Sequence, residues 1–138
     1  MFKSNGGFTL VELIVVIAIL AILAGVAVPA YSAYIDNANK AADDAKIETI
    51  ETAMASALAM KGLNLEEDGV TYFAITTANG KTTISIPTAL ASDETAEAIF
   101  AQYESFGGAT EVTFQHYSKL EWAAVGNSTT LKELKASK

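Results

Sequence analysis

Residues 8–28 read FTLVELIVVIAILAILAGVAV, and this run decides the architecture. It carries a single charged side chain, Glu12, among about fourteen Leu, Ile, Val and Phe residues. At about 1.5 Å per residue, some twenty residues of helix span roughly 30 Å, the thickness of a bilayer's hydrocarbon core. The apolar side chains together favour insertion by about 4–8 kcal/mol, against roughly 2.5–3.5 kcal/mol for one acid at mid-membrane. The balance predicts a membrane-spanning helix that tolerates Glu12. The core helix of a soluble domain is usually shorter than this run.

On the amino-terminal side, Met1 to Gly7 are polar and weakly basic, with Lys3 and no acid. On the carboxy-terminal side stand Asp36, Asp43 and Asp44, with Lys40 and Lys46 among them. The basic end is expected to stay in the cytoplasm and the bulk of the chain outside. Residues 31–61 continue the helical pattern without glycine or proline. Ala38, Ala41 and Ala45 lead into Ile47, Ile50, Met54, Ala57 and Leu58, which recur at helical spacing. Lys40, Asp43, Asp44, Glu48 and Glu51 are expected mostly on the remaining surface, with Asp36 and Lys40 spaced as a favourable pair. Gly62 supplies the stop, and Pro29 is the expected break within this long helix. Tyr31 and Tyr34 follow Pro29 where amphipathic rings would anchor at a bilayer surface.

The junction Gly7–Phe8, followed by Thr9-Leu10-Val11-Glu12-Leu13, resembles the processing site of type IV prepilins and pseudopilins. The resemblance covers the first thirty or so residues closely. It implies a cut after Gly7 by a membrane prepilin peptidase, methylation of the new terminus at Phe8, and a role for Glu12 in assembly. Pro29 falls where many members of the family carry a helix-breaking proline. The implied partners are the peptidase/methyltransferase, a pilus assembly platform, membrane lipid before assembly, and further copies of the chain in a helical filament. The implied location is the bacterial cytoplasmic membrane, then the cell surface. A physical reason accompanies each part. Gly6 and Gly7 offer unhindered backbone to a peptidase cleft. A cut before the apolar run keeps the membrane helix on the mature chain and creates an ammonium group one turn from Glu12. An intramembrane acid needs a partner, and a neighbouring copy's Phe8 amine can supply it.

The whole chain has 138 residues, no cysteine and no arginine, with 16 acids against nine bases and a net charge of −7. Disulfides and thiolate metal sites are thereby excluded. An acidic chain of this kind does not fit a phosphate-tracking surface, so no nucleic acid is expected as a partner. The lack of cysteine also departs from the carboxy-terminal disulfide of many Gram-negative major pilins.

Four segments follow: a leader over 1–7, a membrane and filament-core half-helix over 8–30, an amphipathic half-helix over 31–61, and a head over 62–138. The fold class is α+β, a long amino-terminal helix packed on a small antiparallel sheet. In the head, Glu66, Glu67, Asp68 and Gly69 read as an acidic loop, with strands over 70–76 and 81–86. Asn79-Gly80 is a strong hairpin signal, and centring the turn there opposes Ile75 with Ile84 and Phe73 with Ile86. Ser92, Asp93 and Glu94 open a short helix carrying Ala96, Ile99, Phe100 and Tyr103, broken by Gly107-Gly108. Further strands are expected over 111–117 and 120–125, with Val112, Phe114, Leu120 and Trp122 in the core, and Leu131 and Leu134 in an edge segment.

The head offers little chemistry. His116 is the sole histidine, and its neighbours suggest a half-buried strand residue rather than a catalytic or metal site. The acids at 66–68 lack the interleaved ligands of a calcium loop. Asn127-Ser128-Thr129 matches a glycosylation sequon formally. No enzyme activity, cofactor or metal is therefore expected. The competing functions are a pilus subunit for adhesion or motility, a major pseudopilin of a type II secretion or DNA-uptake machine, and a membrane-tethered binding module.

Overall fold

The computed structural model describes residues 7–124 and 131–137. The chain falls into two compact units, one running to Ala38 and the other beginning at Asn39.

The first element, α1 (Leu10–Ala59), is a 50-residue helix. It opens on a reciprocal cap at Thr9 and Glu12 and runs through Pro29, which has no N–H to donate to the Gly25 carbonyl. Gly62 ends it with φ of 73°. There the Leu63 N–H donates to Leu58 O at 3.0 Å and the Gly62 N–H to Ala59 O at 3.0 Å. This pair of bonds satisfies carbonyls that the last turn would leave open, and it needs a residue at ease with positive φ.

In the second unit, α2 (Leu65–Tyr72) occupies the stretch expected as an acidic loop. The Asn64 side chain accepts the Glu67 N–H at 2.8 Å, and the Asp68 carboxylate accepts the Asn64 N–H at 3.0 Å. Acids in the first turn suit the positive end of a helix, so the run that suggested a loop is a helix start. The strand expected from Val70 consequently begins later, as β1 (Ala74–Ala78), and pairs with β2 (Lys81–Ser85).

The hairpin turn lies at Asn79-Gly80, with φ of 52° and 74°, the positive pair that two-residue hairpins favour. Ile75 opposes Ile84 as the spacing requires, while Phe73 and Ile86 lie just beyond the paired residues. A third short strand, β3 (Glu111–Thr113), lies on the other side of β2. The helix α3 (Glu94–Ser105) starts at Asp93, whose carboxylate accepts the Ala96 N–H at 2.8 Å. It ends at Gly107, with φ of 85°, and the Gly108 N–H donates to Tyr103 O at 2.9 Å.

The expected strand over 111–117 stops at Thr113, because the next backbone N–H groups turn toward α1. A separate two-stranded sheet follows, β4 (Lys119–Ala124) with β5 (Leu131–Ser137). The edge segment expected around Leu131 and Leu134 is therefore a full partner strand.

One core joins these elements. Ile50, Met54 and Leu58 of α1 cluster with Phe73, Ile84, Ile99, Tyr103, Phe114 and Leu120. Burying each such side chain contributes about 1.5–3 kcal/mol. Phe73 meets Tyr103 edge to face with ring centroids 5.2 Å apart. Val112 and Trp122 pack at its margin.

Candidate processing and assembly site

The site starts with a helix terminus. Four N–H groups at the head of an α-helix lack intrahelical partners, and inside a membrane water cannot supply them. In α1 the Thr9 hydroxyl accepts the Glu12 N–H at 3.2 Å, and the Glu12 carboxylate accepts the Thr9 N–H at 2.9 Å. This is a capping box, and the Thr-x-x-Glu spacing ahead of an apolar run is its sequence signal. Thr9 thus has a role that the processing motif alone does not suggest. It also fixes where Glu12 points, back toward the residue that precedes Thr9.

That residue, Phe8, is 88 % exposed and stands just ahead of the first helical residue, Leu10. Phe8, Val11, Glu12, Val15 and Val16 line an apolar recess of about 400 Å³. The structure thereby brings Phe8 and Glu12 together on one recess. Gly7 adjoins them as the first described residue, and Met1 to Gly6, the rest of the expected leader, lie outside the described residues. Pro29 sits 17 positions beyond Glu12 on the same helix.

Around these residues the helix is long and apolar enough to cross a membrane, with a mean hydropathy of 3.0 over its best window and none of that window buried. A carboxylate on such a surface, with a hydrogen-bonded cap at its back, can accept a cation from outside the chain. Its two oxygens offer about four acceptor positions, so the Thr9 bond and an incoming ammonium can coexist.

The other residues considered from sequence belong to the second unit. His116 occupies a bend rather than the strand expected for it, and its backbone N–H donates to Asp43 at 2.6 Å. Asp43, expected on the helix surface, is instead fully buried. Its Oδ2 accepts the N–H groups of Gln115, His116 and Tyr117 at 2.8, 2.6 and 3.2 Å. Lys46 Nζ lies 3.3 Å from Oδ1. Sequence reading missed this residue because its partners are backbone groups more than seventy positions away. The Asn127-Ser128-Thr129 sequon lies outside the described residues. Among the described residues, no three His, Asp or Glu side chains converge as metal ligands.

A helix long and apolar enough to cross a membrane, headed by a capped acid beside an exposed aromatic, fits a membrane-anchored precursor. Residues 2–28 match the family model of the prokaryotic N-terminal methylation motif. The chain accordingly carries the prepilin leader of type IV pilins and pseudopilins, which implies processing by a prepilin peptidase and assembly into a filament. No curated protein and no solved structure matches the chain.

Proposed function

We propose that the chain is the structural subunit of a type IV pilus. It enters the bacterial cytoplasmic membrane as a prepilin, is cut between Gly7 and Phe8, is methylated on the Phe8 nitrogen and polymerises into a surface filament for adhesion or motility. Residues 1–7 are the leader, 8–30 the membrane and filament-core half of the helix, 31–61 its amphipathic half and 62–138 the head. Pro29 weakens the helix locally, since it lacks one backbone bond.

The observation that carries this reading is the methylation motif across residues 2–28, placed on a helix whose most apolar stretch is wholly unburied. Glu12 gives the assembly step its chemistry. An unpaired carboxylate in an apolar bundle is costly, and the Phe8 ammonium of a neighbouring copy relieves that cost only in a staggered register. Thr9 holds the carboxylate ready at the helix terminus.

The leader holds Lys3 and no acid, so its removal takes the formal charge from −7 to about −8. Intact mass and amino-terminal sequencing of filament protein should find a chain beginning at a singly methylated Phe8. A chain that still starts at Met1, or one cut after the apolar run as a secretory signal is, would sink the proposal. Major pseudopilins share this type of leader, and electron microscopy of filaments sheared from cells separates the two. Long surface filaments composed of this chain are expected of a pilin.

A further inference from the structure

Asp43 is a buried ion whose chemistry the assembly reading does not use. Its carboxylate is fully buried, and its three N–H donors are consecutive backbone groups, those of Gln115, His116 and Tyr117. Backbone amides turned one after another onto one oxygen form an anion-binding concavity. Here the anion belongs to the chain itself. Lys46 closes the other side, 3.3 Å from Oδ1, and also donates to Thr113 O at 3.0 Å, so it grips both the carboxylate and the end of β3.

We propose that Asp43 is a charge-operated latch that fastens the segment between β3 and β4, residues 114–118, onto α1, and that the segment is released when the carboxylate is neutralised while the β1–β2 hairpin stays folded. The geometry separates the two parts. The hairpin is held by its own ladder, with Ile84 N–H further bonded to Thr110 O at 2.8 Å. Residues 115–117 have turned their N–H groups away from any strand and onto one carboxylate. A protonated acid accepts such bonds weakly, and the three part-buried donors would lose their partner together.

The latch also positions Tyr117, whose hydroxyl donates to Asp44 at 2.7 Å, while Lys40 reaches the same carboxylate at 2.9 Å. The ionisable groups around Asp43 are therefore Lys40, Asp44 and Lys46 on α1, and His116 and Tyr117 on the segment. Burial alone pushes the Asp43 carboxyl up, but the backbone donors and Lys46 outweigh it and hold it below the usual carboxylate range. A group depressed in this way contributes stability above its unfolded value, near about 3.9, and loses it as pH falls through the folded value. Release is thus an acid event, confined to pH below about 4.

The test uses the full chain in detergent micelles. Hydrogen exchange at neutral pH should find the amides of Gln115, His116 and Tyr117 protected. Asp43→Ala should speed their exchange by about tenfold or more, with the hairpin amides unchanged. Equal protection at 115–117 in the variant, or equal loss throughout the hairpin, would overturn the latch. Because Asp43→Ala could fail to fold, the wild-type chain is also titrated by NMR. The Asp43 carboxyl carbon and the three amides should move with one common midpoint below the ordinary carboxylate range. Amides that ignore the carboxyl, or a midpoint at or above that range, would refute the proposal.

Discussion

On the first stretch of α1, Leu10, Val11, Val26 and Val28 stand 62–74 % exposed, whereas Ile50, Met54 and Leu58 of the same helix are at most 1 % exposed. Apolar surface left in water costs about 25 cal/mol per Å², so the early stretch is incomplete without lipid or other copies. The later stretch is completed by its own chain, through the hairpin, α3 and β4. The difference shows two uses of one secondary structure. Residues to Ala38 store binding capacity for outside partners, and residues from Asn39 spend theirs on internal packing. Substitutions in the first unit should therefore change assembly with little effect on head stability, and those in the second the reverse.

The largest effect is expected at Glu12. Glu12→Val removes the insertion penalty and should leave a stable membrane protein. The same change should abolish filaments, because the Phe8 amine of a neighbour loses its counter-charge. Filament yield after shearing, blotted against the membrane pool, is the measurement. Normal yield from Glu12→Val would break the contrast between the units. Co-expression sharpens it, since the variant should enter wild-type filaments poorly at normal membrane levels.

Next in size is Gly108, where an added Cβ would come within 2.2 Å of the Tyr103 ring. Tyr103 is fully buried, and its hydroxyl donates to Ala109 O at 2.5 Å, so it has little freedom to yield. Gly108→Ala should cost about 1–3 kcal/mol of head stability. Circular dichroism melts of the full chain in micelles would record it, with membrane insertion unaltered. A melting temperature equal to wild type would show that the ring can shift.

A comparable or smaller loss is expected at the hairpin turn. Gly80→Val places a β-branched residue at φ of 74° and should cost about 1–3 kcal/mol. The same melts check it, and an unchanged transition would mean that the turn tolerates another conformation. The smallest effect belongs to Thr9→Ala, which removes one side of the capping box for about 1 kcal/mol. Exchange at the first turn of α1 should rise. Filament yield should fall little, because Glu12 keeps its charge and the Thr9 backbone N–H that holds its carboxylate survives the change.

What could be read directly from residues tracks how local the cause is. The long helix is legible because composition alone sets it, and Gly62 stops it with its own backbone. The hairpin is legible because Asn79 and Gly80 bear the positive φ angles themselves. In contrast, α2 has eight residues with a glycine among them, and its acids mimic a loop. Asn64 ahead of Glu67 was the one signal present. The early end of β3 and the burial of Asp43 were illegible for one shared reason. The carboxylate that draws residues 115–117 out of the strand lies on α1, far away in sequence. In the site, the resemblance around Gly7 and Phe8 pointed to Glu12, while the role of Thr9 needed the geometry of the cap.

Trp122 is the sole tryptophan in the chain. Its indole N–H donates to Phe73 O at 3.2 Å, and its ring occupies the space that a side chain at position 69 would fill. The protein thus contains a built-in fluorophore seated where β4 meets α2 and the start of the hairpin. Tryptophan emission from unlabelled chain, excited where tyrosine does not absorb, reports on that seat alone, free in micelles or packed in a filament. A red shift marks water reaching the indole, and the membrane helix contributes no tryptophan signal to obscure it.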